Sequence, residues 1–196
     1  MYGRPRQVSR EEFAGLMAIK IVLTGAPASG KTDIFQRLEV SADYATFVFL
    51  EEQARRLLTN NPEYRNDWPA FHREIYRRQV LQEQDLTGRS FVTDRGTVDA
   101  FAFHPETVAD VGTSIPAEYA RYTDVIQLGT SAALGEAFFP RDAIRTESME
   151  DALAIEAAIT DVWKRHPGYR FFPAEVDYEV KVKQVLAYIG TLMSRR

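Results

Sequence analysis

The 196-residue chain contains no cysteine, which excludes disulfides and thiolate metal sites and accords with a reducing compartment. Lysine is scarce: it stands only at Lys20, Lys31, Lys164, Lys181 and Lys183, so most cations that could meet an anion are arginines. The histidines, His72, His104 and His166, share no metal-ligand spacing with one another or with nearby acids, and no chemistry is assigned to them. No uncharged apolar run approaches the roughly 18 residues that a membrane span needs, and the N-terminal stretch lacks the apolar centre of a signal peptide. Positive charge is not in excess either. A net charge of −4 gives no support to nucleic acid or an anionic membrane as partner. Internal repeats and low-complexity linkers are missing too. What is present, 45% hydrophobic residues over this length, suits one α/β domain, expected to be soluble and cytoplasmic.

One segment carries a specific chemical signal. Gly25-Ala26-Pro27-Ala28-Ser29-Gly30-Lys31-Thr32 reads G-x-x-x-x-G-K-[ST]. It directly follows the strand-like run Ile19-Lys20-Ile21-Val22-Leu23-Thr24 and precedes the helical Asp33-Ile34-Phe35-Gln36-Arg37-Leu38. Four residues between the glycines let the backbone wrap an anion with its N–H groups inward, and Gly30 tolerates close approach of phosphate oxygens. Lys31 supplies a point charge to the outer phosphates. The Thr32 hydroxyl suits Mg²⁺, and the helix N-terminus adds its partial positive charge. The competing reading is a glycine-rich turn that binds nothing; the strand before and the helix after favour a nucleoside-triphosphate site. No lysine falls in an N/T-K-x-D pattern, which disfavours guanine as the base.

Strand patterns recur at 19–24, 47–50, 90–94, 124–128 and 169–172, separated by helical patterns at 31–39, over about forty residues after the second strand, at 140–166 and at 176–193. Such alternation predicts a parallel, doubly wound sheet. Residues 1–18, with a capping-box-like Ser9-Arg10-Glu11-Glu12, are expected to be an extension to a single domain spanning 19–196. Ser148-Met149-Glu150-Asp151 is a capping box that opens a helix in the charged segment between the last two strands, within 130–168, where a nucleotide kinase carries its lid.

Several polar residues follow the strands at the edge where ligands collect. Asp94 ends an apolar run and is the candidate carboxylate for Mg²⁺, held partly through water; alternatively it caps the helix after Thr97. Glu51 and Glu52 follow the second strand, and one of them is a candidate acceptor of a hydroxyl proton, with an ordinary acidic first turn as the alternative. Arg55 and Arg56 stand one turn on, able to grip a substrate or to face solvent. Arg141 and Arg145 in the lid segment are candidates for the transferring phosphoryl group, or for pairing with Asp142 and Glu147. Arg73, Arg77 and Arg78, diluted by Glu74, Glu83 and Asp85, read as a solvated helix face, from which Gln79 could reach a substrate. Trp68, Tyr76, Phe101, Phe103 and Trp163 suit either base stacking or the core.

In this order, the phosphate loop, Glu52-Gln53-Ala54-Arg55, Thr93-Asp94-Arg95-Gly96 with Asp99, Tyr122 to Leu128, and Arg141 to Ser148 ending at Gly168-Tyr169 resemble the small kinase-like P-loop proteins labelled AAA-domain or predicted ATPase. These are relatives of nicotinamide riboside kinase domains and, more distantly, of deoxynucleoside and thymidylate kinases. The resemblance runs from Ile19 to about Ala174. It implies a three-layer P-loop fold whose five-stranded parallel sheet has the order 2-3-1-4-5, with a helical lid, and Mg-ATP as donor. It also implies Asp94 and Arg95 near metal and phosphates, Glu52, Arg55 and Asp99 toward the acceptor, and Arg141 and Arg145 in the lid. Gly129-Thr130-Ser131 departs from the more polar or proline-bearing turn of many relatives, so no acceptor is carried over from any one of them. The expected activity is phosphoryl transfer from ATP, with Mg²⁺, to a small nucleoside, nucleotide or riboside, with Lys31, Glu52, Asp94 and Arg145 catalytic. An ATP-hydrolysing switch with a protein partner is the alternative.

Overall fold

Short apolar runs rich in β-branched and aromatic residues form five strands: β1 (Lys20–Gly25), β2 (Val48–Leu50), β3 (Phe91–Asp94), β4 (Asp124–Leu128) and β5 (Tyr169–Phe172). The computed structural model describes residues 18–139 and 147–194. The strands are all parallel in the order β2-β3-β1-β4-β5, as the family resemblance implied. Arg141, Arg145 and the expected extension up to residue 17 lie outside the described residues.

The helices are α1 (Lys31–Glu39), α2 (Gln53–Asn60), α3 (Trp68–Gln84), the short α4 (Asp99–Phe103), α5 (Thr107–Asp110) and α6 (Ile115–Tyr119), then α7 (Met149–Trp163) and α8 (Tyr178–Ser194). Pro62 opens a 3₁₀ turn, Pro62–Asn66, that divides the long helical region after β2. The Asp67 side chain then accepts the Ala70 N–H at 2.9 Å and starts α3 anew. The capping box expected before α7 is formed: Ser148 Oγ accepts the Asp151 N–H, and the Asp151 carboxylate accepts the Ser148 N–H, both at 3.0 Å.

Two-residue alternation in the central strands splits the core between two faces. Ile21, Leu23, Ile126 and Leu128 pack against Ile34, Phe35 and Leu38 of α1 and Val182, Val185 and Ile189 of α8. On the opposite face, Val22 and Val125 meet Phe101 of α4 and Ile159 and Trp163 of α7. This is the three-layer arrangement, and it brings the loops after all five strands to one edge. No helix among the described residues is long and apolar enough to cross a membrane.

Trp163 is fully buried, and its indole N–H donates to Asp99 Oδ2 at 3.3 Å. Trp163→Ala is therefore expected to lower stability by about 3–5 kcal/mol, read from the urea midpoint at constant m-value.

Candidate active site

The phosphate loop is wound by necessity. A Cβ on Gly25 would lie 2.6 Å from the Leu128 carbonyl oxygen, and Gly30 combines φ +78° with a Tyr178 ring carbon 2.5 Å from where its Cβ would be. Ala28 is also left-handed at φ 61°, a conformation that costs a non-glycine residue about 1–2 kcal/mol. The first intrahelical bond of α1 runs from the Ile34 N–H to the Gly30 carbonyl, so the amides of Lys31, Thr32 and Asp33 have no acceptor within the helix. No side chain caps them, and Thr32 is exposed. A convergent set of free amides at a helix start is an anion site in waiting.

Register fixes what stands beside the loop. Leu23 of β1 pairs with Asp94 of β3, which delivers that carboxylate to the Lys31 ammonium, and the two form a buried ion pair. Burial pushes the Asp94 carboxyl above its ordinary range, the Lys31 charge pulling it back and Glu52 pushing it further up. The next residue, Arg95, is left-handed at φ 71°, a strained backbone of the kind concentrated at functional sites. Its Nε donates to Glu52 Oε1 at 2.7 Å, its Nη1 reaches Asp99 Oδ1 at 3.4 Å, and its guanidinium lies 5.3 Å from the Phe103 ring centroid. Burial acts to lower the Arg95 pKa, but Glu52, Asp99 and Asp94 outweigh it and hold the guanidinium charged. Asp99 itself is buried and accepts from the Thr24 hydroxyl, the Gly96 N–H and Trp163. It serves as the fixed post of the 94–99 turn.

A buried polar network supports this turn from behind. Arg121 places Nε and Nη2 on Glu83 Oε2 at 2.9 and 2.6 Å, and the Tyr122 hydroxyl donates to Glu83 Oε1 at 2.7 Å. Gln79 Nε2 donates to Glu83 Oε1 at 2.7 Å and to Thr93 Oγ1 at 2.8 Å, and the Thr93 hydroxyl donates to the Arg95 carbonyl at 2.7 Å. The Tyr122 hydroxyl also accepts the Thr97 N–H at 2.7 Å. The chain of donors has one direction, because a carboxylate only accepts, and so the Gln79 amide is locked.

Two cavities flank the phosphate loop. The larger, about 540 Å³, has Asp94, Arg95, Glu52 and Asp99 at its polar end, and its remaining wall includes Trp68, Phe71, Ile75, Phe103 and Gln79. His72 and His104 stack there with ring centroids 5.7 Å apart; burial, then His104, lowers the His72 pKa to about 4, so it is neutral. The smaller cavity, about 320 Å³, lies against Ser29, Gly30 and Ser131 on the side of Val176, Tyr178 and Lys181.

The structure thus brings Lys31, Asp94, Arg95, Asp99 and Glu52 together at the loop. Of the two glutamates after β2, Glu52 lines the cavity and Glu51 is exposed. Glu52 precedes α2 without capping it, its carboxylate being turned to Arg95 instead. Arg56 is exposed, and the Arg55 side chain lies outside the described residues. Glu83 departs from the solvated helix face expected of it: it is buried, because the α3 face that carries it turns onto β3 and Arg121. Trp68 and Phe103 stand half-open at the cavity, whereas Phe101 and Trp163 belong to the core. Missed altogether were the wall histidines, the Arg121–Glu83–Tyr122 network and Lys181; only Lys181 left a trace, a charge on the apolar stripe of the last helix.

Arg121→Ala would strand the Glu83 carboxylate inside the protein. Because Arg121 is partly exposed, the expected loss is about 2–4 kcal/mol by chemical denaturation at pH 7. Burial already raises the Glu83 pKa, so this deficit is expected to shrink as the pH is lowered through the raised value and the carboxyl takes up a proton.

Comparison with known proteins agrees with this architecture. A profile of the AAA domain family matches residues 20–181. No curated protein sequence matches the chain. Among solved structures, a deoxyadenosine kinase from M. mycoides with products dCMP and a flexible dCDP bound is similar with a TM-score of 0.62 at 11% identity, covering 88% of this chain and 100% of that one. The same enzyme with bound dATP gives 0.60 at 12% identity, covering 88% and 99%. At such identities the likeness is one of fold. Since the family profile spans most of its length, and its sheet order and phosphate loop are those of the P-loop kinase fold, the chain belongs to the AAA domain family of kinase-like P-loop proteins.

Proposed function

We propose that the chain is an ATP-dependent phosphotransferase acting on a small acceptor of nucleoside, nucleotide or riboside type. The observation that carries this reading is the pair of cavities on either side of one phosphate loop, the larger bringing an acid–arginine cluster and aromatic rings together. A hydrolase needs one site; a transferase needs room for donor and acceptor. The half-open Trp68 and Phe103 rings suit a planar heterocycle. Gln79, its Nε2 committed to Glu83 and Thr93, has only Oε1 left for a ligand N–H. Relatives of the fold include a deoxyadenosine kinase solved with dATP, which supports a nucleotide as one of the two ligands.

The residues present fit Mg-ATP: uncapped amides at the start of α1, a buried ammonium at Lys31, an exposed Thr32 hydroxyl and a carboxylate at Asp94. Few protein carboxylates are expected around Mg²⁺, which keeps its waters and leans on substrate phosphates. When bound, Mg-ATP supplies the γ-phosphoryl group and much of the charge neutralisation. The protein's part is positioning and electrostatics. Lys31, released in part from Asp94, would hold the outer phosphates, and Thr32 and Asp94 would hold the metal. Arg95 holds Glu52 at 2.7 Å at the polar end of the larger cavity, where its carboxylate would take the proton of the attacking hydroxyl. A heterocycle seated against Trp68 and Phe103 would displace water from the half-open wall and favour transfer over hydrolysis.

The deciding experiment is Mg-ATP turnover with and without a panel of nucleosides, nucleotides and ribosides, following phosphorylated product by mass. Acceptor-dependent ADP with a phosphorylated product is expected; equal ADP without acceptor would establish an ATPase switch instead. Lys31→Ala is expected to abolish transfer with the fold retained by circular dichroism. Glu52→Gln is expected to lower kcat about 10²–10³-fold with little change in the ATP requirement.

A further inference from the structure

Lysine is rare in this chain, and one of the five is buried with no carboxylate among the described residues in salt-bridge contact with it. Lys181 of α8 is 2% exposed, and its ammonium donates to the Ser29 carbonyl of the phosphate loop at 2.9 Å and to the Gly129 carbonyl after β4 at 2.6 Å. Among the described residues it is in no salt bridge. One turn earlier, the Tyr178 hydroxyl shares its proton between the next loop carbonyl, Gly30, at 3.0 Å and the Asp33 carboxylate at 2.8 Å.

These two bonds set the direction of the loop. In a planar trans peptide the C=O and the following N–H point opposite ways. Pinning the Ser29 and Gly30 carbonyls to α8 therefore aims the Gly30 and Lys31 amides away from α8. Tyr178 does this with a neutral hydroxyl. Lys181 does it with a charge, and a buried ammonium hydrogen-bonded only to neutral carbonyls, with Glu156 and Glu175 acting from farther off, is not fully repaid for its lost hydration. An anion held by the loop would repay it.

We propose that Lys181 is a positioning residue of the phosphate site, orienting the Gly30 amide through the Ser29 carbonyl and lending its positive charge, from behind the loop, to the binding of a polyphosphate. This rests on the loop's binding a nucleoside triphosphate, as proposed above. The groups around the ammonium are Glu156 of α7, whose carboxylate accepts the Thr130 N–H, Glu175 between β5 and α8, and Tyr178 on its own helix. Burial outweighs both glutamates and lowers the Lys181 pKa to about 8. A bound polyphosphate favours the charged form and raises that value. The sign follows: binding is full below about pH 8 and weakens as the pH rises through the lysine's titration, by up to tenfold per unit.

The test is titration calorimetry of the full chain with Mg-ATP from pH 7 to 9.5, above the pH of about 6 at which a terminal phosphate takes up its last charge. Wild type is expected to hold its affinity to about pH 8 and then lose it. Lys181→Met is expected to bind on the order of tenfold more weakly at pH 7, with the fall above pH 8 gone. Lys181→Arg is expected to keep the affinity and also to abolish the fall, since arginine stays charged; it keeps the test open should the methionine variant fold poorly. Wild-type binding indifferent to pH, or a fall that persists in Lys181→Arg, would overturn the role of Lys181 while leaving the phosphotransferase reading intact. No binding of Mg-ATP by wild type at any pH would overturn that reading itself.

Discussion

The buried pairing of Lys31 with Asp94 is the interaction on which the site depends. It joins the loop after β1 to the end of β3, and it exists because parallel register sets Leu23 beside Asp94 at the sheet's carboxyl edge. Neither charge would be tolerated alone at that depth. Together they place an ammonium and a carboxylate beside the phosphate loop, positioned by the fold itself.

The cost of this arrangement appears in the backbone next door. Arg95 is held left-handed between the pair and the cavity, and the conformation is over-determined: the Leu23 carbonyl accepts its N–H at 3.0 Å, Thr93 donates to its carbonyl, and Glu52 and Asp99 share its side chain. Behind it, the network from Arg121 through Glu83 and Gln79 to Thr93 is buried, directional and charged. Such networks add rigidity when every member is satisfied. Here that rigidity is delivered to the short 93–97 stretch, which carries both the Asp94 carboxylate and the Arg95 guanidinium.

The loop is also braced from its other flank. The Thr130 hydroxyl donates to the Pro27 carbonyl at 2.6 Å, the Ser131 N–H to Ala28, and α8 contributes Tyr178 and Lys181. The phosphate loop is thus clamped between the ends of β3 and β4 and the start of α8, with a cavity open on each side. The turn Gly129-Thr130-Ser131 contacts both the loop and Lys181.

Local patterns determined much of this protein from the sequence alone. The phosphate loop, the five strands and their alternation with helices, and the Ser148 capping box are encoded within a few residues of one another, where period and turn chemistry act directly. Asp94 and Glu52 were legible as candidates because the ends of parallel strands converge on one edge, and Arg95 through the family resemblance. Which glutamate turns inward, how Arg95 is shared, and why Glu83 is buried were decided only by tertiary structure, since each depends on a partner that is remote in sequence: Glu52 and Arg95 are 43 residues apart, Glu83 and Arg121 38. Lys181 is the extreme case, meeting Ser29 across 152 residues. Its charge on an apolar stripe was visible in the chain, but the reason for it, two loop carbonyls behind a phosphate site, exists only once the sheet has brought β1, β4 and α8 together.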